Sequence, residues 1–451
     1  MLAEGLEAIR VQFQLPAAFP PAAEVEAAEA AKRSLDQHAD RTALPFVTLD
    51  PASSRDLDQA FAIDASGSDL ILQYAIADVG WFVADGGAMD VEAWIRGTTQ
   101  YLPDGKAPLY PPALSEGAAS LLPDGDRPAI LFTVRVDPAG HSRLDSVERA
   151  LVRSRAKLAY GTATEAQLPE GFSELSRRVE AAELERGGAR IEPPEQEVVS
   201  ENGCFRLRFR PQSWCEEANA SLSLATNLAV ADTLLAAKTG LFRTMDEPME
   251  WAIRRLHHTA KALGIDWPKK EPLKQLEHRL DPKDHNQAAL MIAIRRASPG
   301  AGYQPYQEGV TPWHSAVAAT YAHATAPLRR LADRYVIEAA LAVANGRPVP
   351  DAAQAAFEKL PKVMAKADGL AGQISRAVID LAEAVALQGR EGEKFAAVVT
   401  DTDQRGARIQ ISSPPVVARI KVDGLIAGQE LTVRFDGADP VNHAVHFSIA
   451  S

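Results

Sequence analysis

Residues 43–64 read ALPFVTLDPASSRDLDQAFAID. A short apolar run ends at Pro51, leaving Asp50 at its edge, and a second apolar run resumes at Ala60. If residues 56–60 return to an extended path, Asp56 and Asp58 project to one side, because strand side chains alternate with period two. Asp50, Asp56 and Asp58 then share a small volume, and Gln59 stands beside them with a neutral amide. Like charges so close raise one another's pKa unless a cation answers them, and an oxygen-only donor set suits Mg²⁺ or Mn²⁺. The Gly and distal Glu of an EF-hand loop are absent, which argues against calcium. Asp, Ser and Arg are also ordinary turn residues, so on the turn alone a solvated loop is the commoner reading.

Short β-type runs continue outward from this turn, QAFAID, LILQYAIADVGWFV and AILFTVRVD, separated by Asp, Gly and Pro. From about residue 215 helical spacing takes over in SLSLATNLAVADTLLAAKTG, WAIRRLHHTAKALG, QAALMIAIRRA and KVMAKADGLAGQISRAVIDLAEAVALQG, with Gly389 as the expected stop of the last. Five alternating runs follow residue 394, FAAVVTD, ARIQIS, VVARIKVDG, ELTVRFDGAD and HAVHFSIA. They predict a small closed barrel of the oligonucleotide-binding (OB) type, with an SH3-like barrel as the alternative. Residues 1–43, with the Ala/Glu-rich stretch AAEVEAAEAAKRSLDQHA, read as a helical lead-in without a core of its own. The expected organisation is an α+β fold: that lead-in, a sheet wrapped by helices over 44–390, and the barrel over 394–451.

The 451 residues, 46% hydrophobic and 24% charged, allow large cores without staples. Cys204 and Cys215 are the only cysteines and lie far from zinc-ligand spacing, so a reducing, cytoplasmic setting is expected and both read as packing residues. No run is long and apolar enough to suggest a membrane span. A formal charge of −12 excludes a generic nucleic-acid coat, so any nucleic-acid site must be a local basic lining. His257, His258, His314 and His323 read as structural or surface histidines.

A candidate lining occurs at residues 320–342, TYAHATAPLRRLADRYVIEAALA. Pro327 suits the first position of a helix, which would put Arg329 and Arg330 in its opening turns, where the helix dipole disfavours cations. A phosphate there would meet backbone N–H groups and a guanidinium able to hold two of its oxygens. A surface arginine pair answering Asp333 is the plainer reading. Acidic nest, arginine pair and OB-type barrel together point to metal-assisted cleavage of a phosphodiester.

These residues resemble the ribonuclease II/ribonuclease R (RNB) exoribonucleases, whose acidic signature carries four aspartates as D-x5-D-x-D-D. YAIADVGWFV (74–83), TTQYLP (98–103), SLLPDGDRPA (120–129), LFRTMDEP (241–248), PWHSAV (312–317) and YAHATAPLRR (321–330) match in the family's order. The barrel after 394 fits its S1 module. The resemblance implies a metal-dependent enzyme that degrades single-stranded RNA processively from the 3′ end to nucleoside 5′-monophosphates, with Mg²⁺ or Mn²⁺, as a monomer with no obligate protein partner. By the same carry-over Asp50 and Asp56 are metal-nest ligands and Asp58 the most critical carboxylate. Arg329 contacts the scissile phosphate, Arg330 also binds substrate, and Tyr101 packs on the nucleotide at the 3′ end.

The departures are specific. Gln59 replaces the fourth aspartate, leaving a carbonyl as a possible ligand and weaker hold on a second metal; a relative that binds RNA 3′ ends without cutting them is the alternative. Ser375 stands in GQISRAV where the family usually carries an acidic residue, Ala326 replaces a helix-capping Ser, and Ile337 and Glu338 replace a His-Arg pair. The family's two N-terminal cold-shock barrels are not expected within residues 1–43, nor a basic tail after Ser451. Capture of RNA outside the channel is accordingly expected to be weak and salt-sensitive.

Overall fold

The structure is a computed structural model that describes residues 2–123, 125–188, 196–201, 204–210, 213–403, 405–411, 413–422, 424–439 and 442–450. Asp124 of the SLLPDGDRPA motif, the side chain of Cys204 and Ser451 lie outside the described part. The chain runs through α1 (Leu2–Gln12), α2 (Pro21–Ala30), β1 (Ala39–Asp40), β2 (Val47–Asp50), β3 (Gln59–Ser66), β4 (Asp69–Ala77), α3 (Val79–Phe82) and α4 (Ala88–Arg96). It continues through β5 (Gln100–Leu102), β6 (Gly105–Ala107), β7 (Arg127–Val136), β8 (Ser142–Val152), β9 (Ala156–Ala159), α5 (Phe172–Glu185), β10 (Gln196–Glu201), β11 (Cys204–Phe209) and α6 (Trp214–Ala236). Then come β12 (Leu241–Thr244), α7 (Glu250–Ala262), α8 (Leu273–His278), α9 (His285–Ala297), β13 (Gly302–Pro305), α10 (Leu331–Ala344) and α11 (Asp351–Leu387). The five strands β14 (Lys394–Asp403), β15 (Gly406–Ile411), β16 (Val416–Ile420), β17 (Glu430–Asp439) and β18 (Ala444–Ile449) complete it.

The central sheet has the order β1-β8-β7-β4-β3-β2-β9, antiparallel except for the β1–β8 and β2–β9 pairs. Successive residues of β4 from Leu70 to Leu72 and from Tyr74 to Ala77 are buried, as expected of a strand covered on both faces. β2 pairs with β3 at Val47 and Phe61 only, so residues 51–58 leave the sheet and return to it as an open turn. That excursion carries the three carboxylates to the sheet's edge.

The helices lie where their spacing placed them, with informative differences. Asp78 ends the LILQYAIADVGWFV strand, because its carboxylate accepts from the Trp81 N–H and caps α3. The last helix begins eleven residues before KVMAKADG and runs through Pro361, held by the buried stripe Ala353, Phe357, Leu360 and Met364. α1 precedes the Ala/Glu-rich stretch, and its Leu6 and Ile9 pack on Ile374, Val378 and Leu381 of α11. Ala23, Ala27 and Ala30 of α2 are buried in the main core, so the N-terminal segment is part of the body that follows it.

The C-terminal strands pair as β16-β15-β14-β17-β18, which is third-second-first-fourth-fifth along this unit. With β16 and β18 brought together at the ends, the antiparallel barrel is nearly closed, as the OB reading requires. Its core contains Val399, Ile409, Val416, Val433 and Phe435. The barrel is pinned to α11 by Glu383, whose carboxylate accepts from Val417 N and from Gln196 Nε2 of β10. Among the described residues no helix is long and apolar enough to cross a membrane.

Candidate active site

Two backbone arrangements bring distant segments together. Asp58 enters β3 with its carbonyl accepting from Ala77 N of β4, while Leu57 N–H donates to Ser120 Oγ and Leu57 O accepts from Leu121 N. Lys157 of β9 donates to the carbonyls of Ala52 and Ser54, closing the turn from the other side. Separately, Thr98 bridges Arg330, Thr99 N donates to Arg329 O and Leu331 N donates to Gly97 O, so the residues leading into β5 run beside those leading into α10.

The arginines do not open a helix. α10 begins at Leu331, and Pro327, Leu328 and Arg329 form a turn before it. The fully buried Asp333 carboxylate accepts from Thr325 N and Ala326 N and holds the Arg330 guanidinium through Nε and Nη2 at 2.9 and 2.7 Å. Asp333 thus closes the turn that Ala326 cannot cap. Arg330 answers Asp333, as the plainer reading had it, and its guanidinium props the turn.

Arg329 is left on the open side, its side chain about half exposed, with Nε 3.3 Å from Asp58 Oδ2. Asp58 is buried, and its Oδ1 accepts from Leu328 N at 2.7 Å. Tyr101 comes from β5, its ring more than half exposed and its hydroxyl donating to Asp56 Oδ2 at 3.3 Å. Asp56 Oδ1 lies 2.7 Å from Lys106 Nζ, and the same ammonium lies 2.9 Å from Glu116 Oε1. The Asp50 carboxylate, at the end of β2, has no hydrogen-bond partner among the described residues.

Burial pushes the Asp50 carboxyl up to about 7, with Arg329 pulling it down and Asp56 adding to the rise. Burial likewise lifts Asp58 to about 7 against the pull of Arg329. Both carboxylates therefore want more positive charge than the protein supplies. Gln59 does not compete for a cation: its Oε1 accepts from Tyr74 Oη at 2.5 Å and Ser223 Oγ at 3.4 Å, and its Nε2 donates to Thr325 O at 2.7 Å. The amide expected as a possible metal ligand is instead a tie between β3, β4, α6 and the arginine turn.

Among the described residues no three His, Cys, Asp or Glu side chains converge so as to hold one ion as they stand. Oxygen donors are what a hard cation takes, and Asp50 and Asp58 are the carboxylates that burial leaves short of positive charge. Asp56 already meets Lys106 and Tyr101, and the Gln59 carbonyl accepts from Tyr74 and Ser223.

Three of the four histidines singled out are built into the protein, and His258 is exposed. His257 stacks on Trp267 with ring centroids 3.7 Å apart, and His323 Nδ1 lies 2.9 Å from Tyr303 Oη. His314 is held down to about 4 by burial, with Arg243 adding to the effect. Glu338 joins Arg149 and Asp78 in an ion network, Ile337 is core, and Cys215 is a buried free thiol. Ser375 is exposed, and α11 meets the β5 segment at Ala367, whose carbonyl accepts from Gln100 Nε2, about 12 Å earlier along the helix. Sequence reasoning missed Lys106 and Ser223, and had Asp333 only as a surface partner of the arginines, not as the buried acceptor that closes their turn. Lys106 was within reach: Leu102-Pro103-Asp104-Gly105 is a turn signal with Pro in its second position, which sets Leu102 opposite Gly105 and Lys106 opposite Tyr101.

Comparison with known proteins bears on the family and the fold. Residues 38–343 match the RNB domain, and residues 393–450 match the RNase II-type exonuclease C-terminal S1 domain. Ribonuclease R of Aquifex aeolicus is 25% identical over 450 aligned residues, covering 93% of this chain and 63% of that protein. Ribonuclease R of Escherichia coli is 28% identical over 348 residues, covering 71% of this chain and 42% of that protein. The chain thus spans about two fifths to three fifths of these relatives' length. Mycoplasma genitalium RNase R, solved with ribose methylated single-stranded RNA, shares the fold with a TM-score of 0.88 at 19% identity, over all of this chain and 78% of that one. Yeast Ssd1, a pseudonuclease, shares it at 0.69 and 17% identity, over 93% of this chain and 54% of that one.

Proposed function

This chain belongs to the RNB family, and on that premise we propose that it is a 3′-to-5′ exoribonuclease that hydrolyses single-stranded RNA processively to nucleoside 5′-monophosphates, using Mg²⁺ or Mn²⁺. The observation that carries the reading is the convergence of Asp58, Tyr101 and Arg329, far apart in sequence, on one open-sided site. The exposed Tyr101 ring offers a base a stacking face, worth about 1–3 kcal/mol without reading sequence. The half-exposed Arg329 guanidinium binds the scissile phosphate and stabilises the charge that develops on its oxygens. Arg330, through Asp333, holds the turn that aims Arg329. Asp50 and Asp58 are the residues that hold a divalent cation, which when bound supplies Lewis-acid polarisation of the phosphoryl group.

The barrel supplies the basic lining that the overall charge withholds. Arg408 of β15 and Arg419 of β16 are direct cross-strand partners, with Asp401 and Asp380 the carboxylates that act on Arg408. Arg296 of α9 and Arg376 of α11 lie close enough that the arginines' mutual repulsion, after burial, depresses Arg296 and Arg408. Arg408 Nε is buried without a hydrogen-bond partner among the described residues. This face is proposed to guide the RNA backbone.

A second reading, binding of RNA 3′ ends without cleavage, is favoured by the neutral, fully bonded Gln59. To separate the two, 5′-labelled RNA and matching DNA are incubated with Mg²⁺, Mn²⁺ or EDTA, using wild type and Asp58→Asn. Stepwise shortening of RNA alone, lost in EDTA and in the variant, is the expected result. RNA retained at full length with every metal would establish the binder.

A further inference from the structure

We propose that Lys106 is a resident counter-ion occupying the position a second divalent cation would take, so that this centre binds a single ion through Asp50 and Asp58. The inference rests on reading the acidic turn as the cation-holding edge of the site. Its ground is geometric. The Lys106 ammonium bridges Asp56 Oδ1 at 2.7 Å and Glu116 Oε1 at 2.9 Å, two carboxylate oxygens from separate segments. A divalent cation bridging those oxygens would need the space that Nζ fills, and would sit against a like charge.

The lysine is built in rather than resting on the surface. Its side chain is 19% exposed and that of Asp56 10%, unlike the solvated pairs that contribute little. Register fixes it opposite Tyr101 in the β5–β6 hairpin, so one hairpin delivers both the stacking ring and the cation. Both Asp56 oxygens already carry a partner, because Oδ2 accepts from Tyr101. Gln59, standing where a further carboxylate would complete a second ligand set, is neutral and spent on Tyr74, Ser223 and Thr325.

Charge agrees with the geometry. Asp50, Asp56 and Asp58 face Lys106 and Arg329, while Glu116 is answered by Arg55 at 3.7 Å. Lys157 also acts on Asp50, so the fixed charges around the turn are already close to balanced, and a second divalent ion would add to a positive excess.

The test counts Mn²⁺ bound to the metal-free full chain by electron paramagnetic resonance titration, without RNA and without turnover. Wild type and Lys106→Arg are expected to bind one ion each. Lys106→Gln keeps a donor to Asp56 but removes the charge; it is expected to bind two, with Asp56 and Glu116 freed as ligands, and thermal unfolding verifies that it is folded. Two ions or none in wild type overturns the proposal even if the variant fails to fold, and so does a count of one in folded Lys106→Gln. A single ion in wild type and two in Lys106→Gln support it whether or not RNA is shortened, so the proposed ribonuclease activity can fail separately in the labelled-RNA assay.

Discussion

Replacing Gln59 by Met keeps the length of the side chain and removes every hydrogen bond it makes. Three are at stake: those accepted from Tyr74 and Ser223, and the one donated to Thr325 O. The Tyr74 hydroxyl keeps Ser223 as a partner at 2.8 Å, which softens its loss, whereas the Thr325 carbonyl loses its side-chain donor. An unmade bond at a buried polar group costs about 1–3 kcal/mol and an ordinary one about 1, so the variant is expected to lose about 2–4 kcal/mol. The greater effect is on geometry. Thr325 begins the turn that ends in Arg329, and a misplacement of about 1 Å at a catalytic group can cost about a hundredfold in rate. The assays are thermal unfolding, Mn²⁺ titration and single-turnover cleavage of labelled RNA. The reasoning requires a lower melting temperature, a large fall in rate and an unchanged Mn²⁺ affinity. A variant that melts like wild type but binds Mn²⁺ much more weakly would refute it, because that is the signature of a ligand and not of a tie.

Arg329→Lys keeps the charge but loses the planar fork, so the cleavage rate is expected to fall about a hundred- to a thousandfold with little change in melting temperature, as the side chain is half exposed. Glu383 is pushed up to about 7 by burial, against the hydrogen bonds from Val417 N and Gln196, with Asp380 adding to the rise and Arg408 opposing it. A carboxyl raised in the folded state favours the fold while protonated and loses that contribution as pH climbs from its unfolded value near 4.5 to 7. Wild type should therefore lose about 3 kcal/mol across that interval, and Glu383→Gln, which keeps the acceptor, should show a flatter melting profile; parallel profiles would dismiss the assignment. Replacing Arg408 and Arg419 by Ser is expected to weaken RNA binding and to reduce the slope of log affinity against log salt by about 0.7 for each phosphate the barrel no longer neutralises. An unchanged slope would remove the barrel face from the RNA path.

The strands and helices were legible because their signals are local. Alternation in FAAVVTD and ARIQIS shows in a handful of consecutive residues, and so does the three-to-four spacing of the last helix, which Pro361 interrupts without breaking because Phe357, Leu360 and Met364 stay buried on one side. The turn at Pro327 was misread as a helix start because what shapes it, the Asp333 carboxylate on Thr325 and Ala326 N–H groups, acts from seven and eight residues downstream through a side chain. Local preference could not reveal that competition.

By itself the sequence determined the order of the segments, the acidic turn after β2, the barrel at the end and the residue types able to meet a phosphate. Only the tertiary structure decided which charge answers which. Asp58 meets the Leu328–Arg329 turn across 270 residues, Gln59 meets Thr325 across 266, and Asp56 takes its cation from a hairpin whose register sets Lys106 opposite Tyr101. Periodicity reports a residue's neighbours along the chain. The charge a carboxylate can carry, and the ions it can hold, depend on groups that arrive through space when the sheet and helices close around it.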